Sequence, residues 1–338
     1  MIGRLRRSAS GRALVLLAAV LALLAAAPLL VSGYVLSILI LALYFAYAGQ
    51  AWNVMMGFAG QLSLGHALYV GLGAYVAAAL FVKFGVGPWL GLWAGMLAAM
   101  AAGAVIGFLA FRFRIGGVYF ALLTIAFAEF TRIGFDHLAW VGGSGGLFLR
   151  VAPGQGNDLL NLRGTPVMFY YVALALAAAA FLVCAALKSS RIGYYWLAIR
   201  EDEEAARALG VDAFRYKMAA VLVSSAMTAL AGVFFAFYYN NLFPEQIFNI
   251  GRSIELLLGP IIGGLGTLFG PILGAFVLQA LAEGLRALLI RFGWEVPGAY
   301  QVFYGVALLI VVVFLPNGIW PSLSRALGLT PRARPPRL

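Results

Sequence analysis

Stretch after stretch of this chain runs for about 20 residues with hardly a charge, the length of helix that crosses the hydrocarbon core of a bilayer. Lipid offers the backbone no hydrogen-bond partners, so apolar runs of this kind must close their own bonds as helices. Composition agrees: 64% of the residues are hydrophobic and 10% charged, which no soluble fold of 338 residues requires. The fold class expected is an all-α polytopic transmembrane helix bundle, one transmembrane domain over 1–338. The net charge of +11 suits loops beside anionic lipid, and no basic patch with interleaved aromatics points to nucleic acid. Cys184 is the one cysteine, so no internal disulfide is available, and no Cys/His set has metal-ligand spacing.

One long polar island interrupts the pattern, over 188–217. Acids crowd its middle (Glu201, Asp202, Glu203 and Glu204), Ala205, Ala206, Ala208 and Leu209 follow, and Gly210 stands where a helix-ending glycine belongs. The spacing predicts a short amphipathic helix over 201–210, with Glu203 and Arg207 placed to pair across one turn. A helix this short is marginal in water, so flanking spans or a partner must hold it.

In chain order, Arg4, Arg6, Arg7 and Arg12 put the N-terminus inside. Spans are expected at about 13–31, 34–56, 57–82, 88–111, 118–135, 166–187, 216–239 and 299–315, with 253–292 holding two short crossings or a broken helix plus a re-entrant piece. About ten crossings leave both termini in the cytoplasm, an external loop at 136–165, the polar loop 188–217 inside, and a basic cytoplasmic tail at 316–338. Arg286 and Arg291 fall toward the outside, against the trend.

Two Gly-rich interruptions match each other. Gly57-x-x-Gly60 followed by QLSLGHAL resembles Gly263-x-x-Gly266 followed by TLFGPIL, one position shorter. Matched breaks in two halves point to an internal repeat around a central pathway, and close helix packing through small residues needs glycine equally. The candidate pathway residues are Gly60, Gln61, Ser63, Gly65 and His66 in the first break and Gly263, Gly264 and Gly266 in the second. His66 reads as a packing and hydrogen-bonding device or as a ligand contact. Gln50 and Asn53 read as helix–helix glue, and Glu255 and Glu283 as interfacial. Glu129 is an acid within a span, with Arg132 three residues on to neutralise it.

With these residues in view, GFAGQLSLGHALYVGLGAYVAA (57–78), GGVYFALLTIAFAEFTR (116–132), GGSGGL (142–147), the island from Ser189 to Ala220, and SIELLLGPIIGGLGTLFGPILGA (253–275) resemble the permease subunits of branched-chain amino-acid ABC importers, the LivM type. The resemblance runs in order from about residue 50 to 315. It implies a permease half in a bacterial inner membrane. The partners implied are a second related permease, two ATP-binding-cassette ATPase subunits and an extracytoplasmic amino-acid-binding protein. It also implies that the segment 201–210 is a coupling helix seated in an ATPase cleft, with Arg200, Glu201, Asp202, Glu204, Ala205 and Gly210 as the coupling residues. Tyr194, Tyr195 and Trp196 stand where the family often has small or basic residues.

The chain carries no GxxxxGK[ST] phosphate loop, so ATP and magnesium belong to partner subunits and no cofactor is expected in this chain. The cargo implied is leucine, isoleucine or valine, with urea or short amides as the alternative. An ion-coupled transporter would turn on Glu129 and leave the polar helix without work. A membrane-embedded enzyme would need a constellation that His66, His137 and Asp136 do not form.

Overall fold

The computed structural model describes residues 22–150, 156–293 and 313–327, with single positions between 302 and 309. After a helical segment over 22–30, the helices are α1 (Gly33–Asn53), α2 (His66–Phe84), α3 (Pro88–Arg112), α4 (Gly117–His137) and α5 (Pro166–Lys188). The polar island supplies α6 (Arg191–Glu201) and α7 (Glu203–Ala208). Then come α8 (Ala213–Tyr239), α9 (Pro244–Ile247), α10 (Ile250–Gly263), α11 (Gly270–Arg291) and α12 (Ile319–Ala326).

Seven of these are long and apolar enough to cross a membrane: α1 with its continuation to Phe58, and α2, α3, α4, α5, α8 and α11. The sequence count of about ten includes three more. Residues 13–21 of the first expected span and most of 299–315 lie outside the described residues, and α10, at 14 residues, is short for a full crossing. In 253–292 the structure has two helices, α10 and α11, parted by a non-helical break over 264–269.

Local chemistry sets the boundaries. Pro88 and Pro166 occupy first-turn positions, where a missing N–H costs nothing. Gly85 takes the left-handed conformation that ends α2. The centre of the bundle is α1, α2 and α8, with 67%, 61% and 72% of their apolar windows buried. By contrast α4 and α11 bury only 22%, so their apolar faces are left for lipid or another subunit. Small residues form the seam where α8 lies along α2: a Cβ on Gly73 would meet the Ala229 carbonyl, and one on Gly232 the Val70 carbonyl.

The ends of the bundle differ. At one end, Leu147–Phe148 and Asn241–Leu242 form a two-stranded antiparallel ribbon, Leu147 opposite Leu242. Arg163 locks the loop there. Its guanidinium donates to the Asn240 side chain and lies 5.2 Å from the Phe81 ring and 5.6 Å from the Phe237 ring. The sequence-predicted loop 136–165 is therefore tied down by this strand and by the Asp158–Arg163 bridge. At the other end sit α6, α7 and both Gly-rich breaks.

Candidate functional site

The first break begins inside a helix. Val54–Phe58 continues α1 as a π-helical turn, a local widening that is common where helices do work. The chain then runs without helix to His66. The second break joins α10 to α11, and the two breaks lie against each other. Asn53 makes the joint: its Oδ1 accepts from Gly266 N–H and its Nδ2 donates to Thr267 O, both at 2.9 Å. Gln50 Nε2 donates to Leu268 O at 2.6 Å, and Lys188 Nζ donates to Gly266 O at 2.6 Å. Side chains of α1 and α5 thus satisfy backbone groups that the break frees, which is the condition for irregular backbone within a bundle. Gln50 and Asn53, read from sequence as helix glue, grip the second break. Nothing in the sequence marks Lys188, at a span end, as a backbone clamp.

Arg200, near the C-terminus of α6, reaches both breaks. Its Nη1 donates to Gly57 O at 2.5 Å, and its Nη2 pairs with Glu201 Oε1 at 2.6 Å. Gly266 has φ +71°, and a Cβ there would lie 2.6 Å from Arg200 Nη1 and 2.8 Å from Gly57 O. Gly60, at φ +70°, is pressed on by the Arg200 stem in the same way. So Arg200, Gly60 and Gly266 come together, as sequence-selected residues from three separate segments.

The polar island holds two helices where sequence predicts one. Asp202 separates them. Its backbone is extended, and its Oδ1 accepts from Ala205 N–H at 2.9 Å as the N-cap of α7. Ser190 caps α6 in the same manner, accepting from Gly193 N–H. Gly210, at φ +87°, ends the turn after α7. Glu201, Asp202, Glu204 and Gly210 are exposed on this side of the loop. Glu203 pairs with Arg207, as the spacing predicts, and also with Lys217 at 2.9 Å, which lies under the loop and 4.7 Å from the Phe111 ring. Trp196 is fully buried and donates to Tyr216 O at 2.7 Å. The island is consequently fixed to α8 and to the breaks rather than hanging free.

The remaining first-break residues form a separate buried group. His66 has both ring nitrogens engaged, with Ser63 Oγ at 3.0 Å and Ser224 Oγ at 2.9 Å, and Ser224 donates to Ala51 O. Trp52 Nε1 donates to Ser63 O, and Gly65 packs on the Thr124 backbone. Gln61 Nε2 donates to Ala59 O. These contacts fit the packing reading of His66. Gly263 and Gly264 pack against Gly270 and Gly318, beside the tilted ring pair of Phe269 and Trp320, 4.5 Å apart. On α4, Glu129 is paired with Arg132 at 3.0 Å, as the i,i+3 spacing suggests, and Arg132 also reaches Asp136 one turn on, at 2.7 Å.

The polar loop is thus fixed to two apposed helix breaks at one end of the bundle, and comparison with known proteins gives the family. The family described as branched-chain amino acid transport system / permease component matches residues 34–313. The high-affinity branched-chain amino acid transport system permease protein LivM of Escherichia coli K12 is 30% identical over 334 residues, 93% of this chain and 76% of that protein. A probable branched-chain amino acid transport permease protein LivM of Methanocaldococcus jannaschii is 24% identical over 46% of this chain and 47% of its own. An autoinducer 2 import system permease protein LsrC of Photorhabdus luminescens is 31% identical over 46% of this chain and 45% of its own. No solved structure matches. With the family model matching residues 34–313 and 30% identity to the Escherichia coli protein over 93% of this chain, this multi-pass membrane protein belongs to the branched-chain amino acid transport permease family.

Proposed function

We propose that this chain is one permease half of an ATP-driven importer for branched-chain amino acids, with the polar loop in the cytoplasm. Two ATP-binding-cassette subunits would lie below it, a related permease beside it, and an external binding protein would deliver leucine, isoleucine or valine. ATP and magnesium would be used by the partners. The observation that carries this reading is the Arg200 contact with Gly57, because it links the loop to both breaks through one rigid helix.

The mechanism follows from that link. The exposed acids Glu201, Asp202 and Glu204 face a soluble partner and set its register. When the ATPases close, α7 moves with them. Glu203 and Trp196 transmit the push to α8, and Arg200 transmits it to the breaks. The breaks are the compliant points of α1 and α10–α11, so displacement there tilts whole spans, a hinge of the kind that gives alternating access. The candidate pathway residues Gly60, Gln61, Ser63, Gly65, His66, Gly263, Gly264 and Gly266 act in this scheme as hinge and packing elements around the path.

Affinity purification of the full chain from its native membrane tests the reading. Co-purification of an ATP-binding-cassette subunit with the wild-type loop, and its loss when 200–210 is scrambled in a chain that still elutes as a folded species, supports it. A folded wild-type chain that retains no ATPase contradicts it.

A further inference from the structure

A second feature of the bundle lies apart from the breaks. Between α1, α8, α10 and α11 is a cleft of about 310 Å³, at the small end of the range for small-molecule sites. Its polar wall carries two ion pairs from two helices: Arg252 with Glu255 at 2.9 Å on α10, and Glu283 with Arg286 at 3.2 Å on α11. Tyr34 donates to Glu283 at 2.6 Å. The Arg252 guanidinium lies 4.9 Å from the Phe235 ring, and its buried Nε has no partner among the described residues. Leu41, Phe45, Leu258 and Leu278 supply its apolar lining. From sequence Glu255 and Glu283 read as interfacial acids, and the fold gathers them into one cavity.

We infer that this cleft is a binding pocket for a small zwitterion with an apolar side chain, an α-amino acid, on the path into the bundle. The inference rests on the importer reading above and names where the cargo first meets this chain. Among the described residues the pocket is charged yet balanced, two guanidiniums against two carboxylates. A ligand bearing one charge of each sign can set its carboxylate on Arg252, whose planar fork suits that group, and its ammonium on Glu283 without leaving a net charge in the cleft. A pure anion or a pure cation would leave one. The apolar lining then takes the side chain.

The position fits entry from the end away from the polar loop. Tyr239 and Arg252 belong to the ends of α8 and α10 nearest the two-stranded ribbon. At the bottom, Gly259 and Ala275 form the floor. There α10 and α11 cross so closely that a Cβ on Gly274 would meet Gly259 O at 1.9 Å. Beyond that crossing lies the break that contacts Arg200. A shift of the break opens or tightens the floor, and the pocket and the loop are thereby ends of one device.

The test uses the full chain in phosphatidylcholine nanodiscs with photo-leucine, an amino acid that cross-links on illumination, and peptide mapping of the label. The expected result is label within 252–259 and 275–286. Excess L-leucine should compete it away, while 4-methylpentanoate (anion only), isoamylamine (cation only) and phosphoethanolamine should not. Arg252→Gln and Glu283→Gln, in preparations whose elution matches wild type, should each lower labelling by about tenfold, the effect of losing a charged hydrogen bond. Label elsewhere, or label indifferent to both substitutions, overturns the pocket, and the wild-type map decides this even if a variant misfolds. Competition by phosphoethanolamine as strong as by leucine makes the cleft a lipid-headgroup site and also overturns it. Leucine uptake by cells carrying the native partner subunits separates the two claims. Uptake kept by both variants sinks the pocket and leaves the importer, whereas no uptake by wild type sinks the importer reading itself.

Discussion

Arg200 and Gly57 lie 143 residues apart and are joined by a 2.5 Å hydrogen bond from the guanidinium Nη1 to the glycine carbonyl. The carbonyl is at the π-helical end of α1, where the helix no longer supplies every partner itself. A charged donor from the polar loop completes it. The same guanidinium leaves no room for a side chain at Gly266, so one arginine contacts a break in each half of the chain.

Gly266→Ala combines a left-handed backbone with a clash against Arg200 Nη1 and Gly57 O, so it should be the more damaging of a matched pair. We predict a loss of about 1–3 kcal/mol of stability and a clear fall in transport. Gly134→Ala, on α4 with nothing within 4 Å of the added carbon, should be neutral or slightly stabilising. Thermal unfolding of the two purified variants in one detergent checks the contrast.

Glu203→Gln removes the partner of Lys217, whose side chain is only 7% exposed. Leaving that ammonium buried and unpaired should cost roughly 3 kcal/mol locally. Faster proteolysis within 200–212 in the variant, with the spans intact, is the expected readout. Glu204→Gln, on the exposed side of the same helix, should leave the cleavage rate unchanged.

Replacing Glu201, Asp202 and Glu204 with Ala should leave insertion intact and uncouple transport from ATP hydrolysis. Part of that effect belongs to the lost cap, since Asp202 accepts from Ala205 N–H, and removing a cap costs about 1 kcal/mol. Asp202→Ser keeps the cap and removes the charge. If the acids act by meeting a partner, Asp202→Ser should retain loop stability yet weaken ATPase co-purification, read by circular dichroism and pull-down on the same preparation.

His66→Ala leaves the Ser63 and Ser224 hydroxyls without their shared partner, at about 1–3 kcal/mol. Because the ring is buried and fully engaged, we predict that transport falls in proportion to the amount of folded protein. Apparent affinity for cargo should stay constant, as uptake measured over a range of leucine concentrations will show.

Seven of the spans are legible because about 20 apolar residues in a row have one low-energy solution in lipid. The Glu203–Arg207 and Glu129–Arg132 pairs were legible too, since helix geometry alone sets their distance. The split of the island at Asp202 was not. The same acidic residue suits a first helical turn or an N-cap, and only its extended backbone decides. Nor does sequence say that Arg200 turns inward to Gly57 while Glu204 points out, because both sit in one charged run. The match between the two Gly-rich segments suggested a relation, and Asn53 gives it physical form by bonding to Gly266 and Thr267. The cleft of Arg252 and Glu283 depends on the packing of four helices, which no local spacing encodes.

The most direct test of the central claim is the ratio of cargo moved to ATP hydrolysed by the complex purified with this chain, reconstituted in liposomes, for wild type and Arg200→Ala. Loss of one charged hydrogen bond at a hinge predicts continued hydrolysis with at least a roughly tenfold fall in leucine moved per ATP. Arg200→Lys, which keeps the charge without the planar fork, should fall in between. An Arg200→Ala complex that moves leucine with the wild-type ratio would show that the loop drives the spans without this contact, and the account would be wrong.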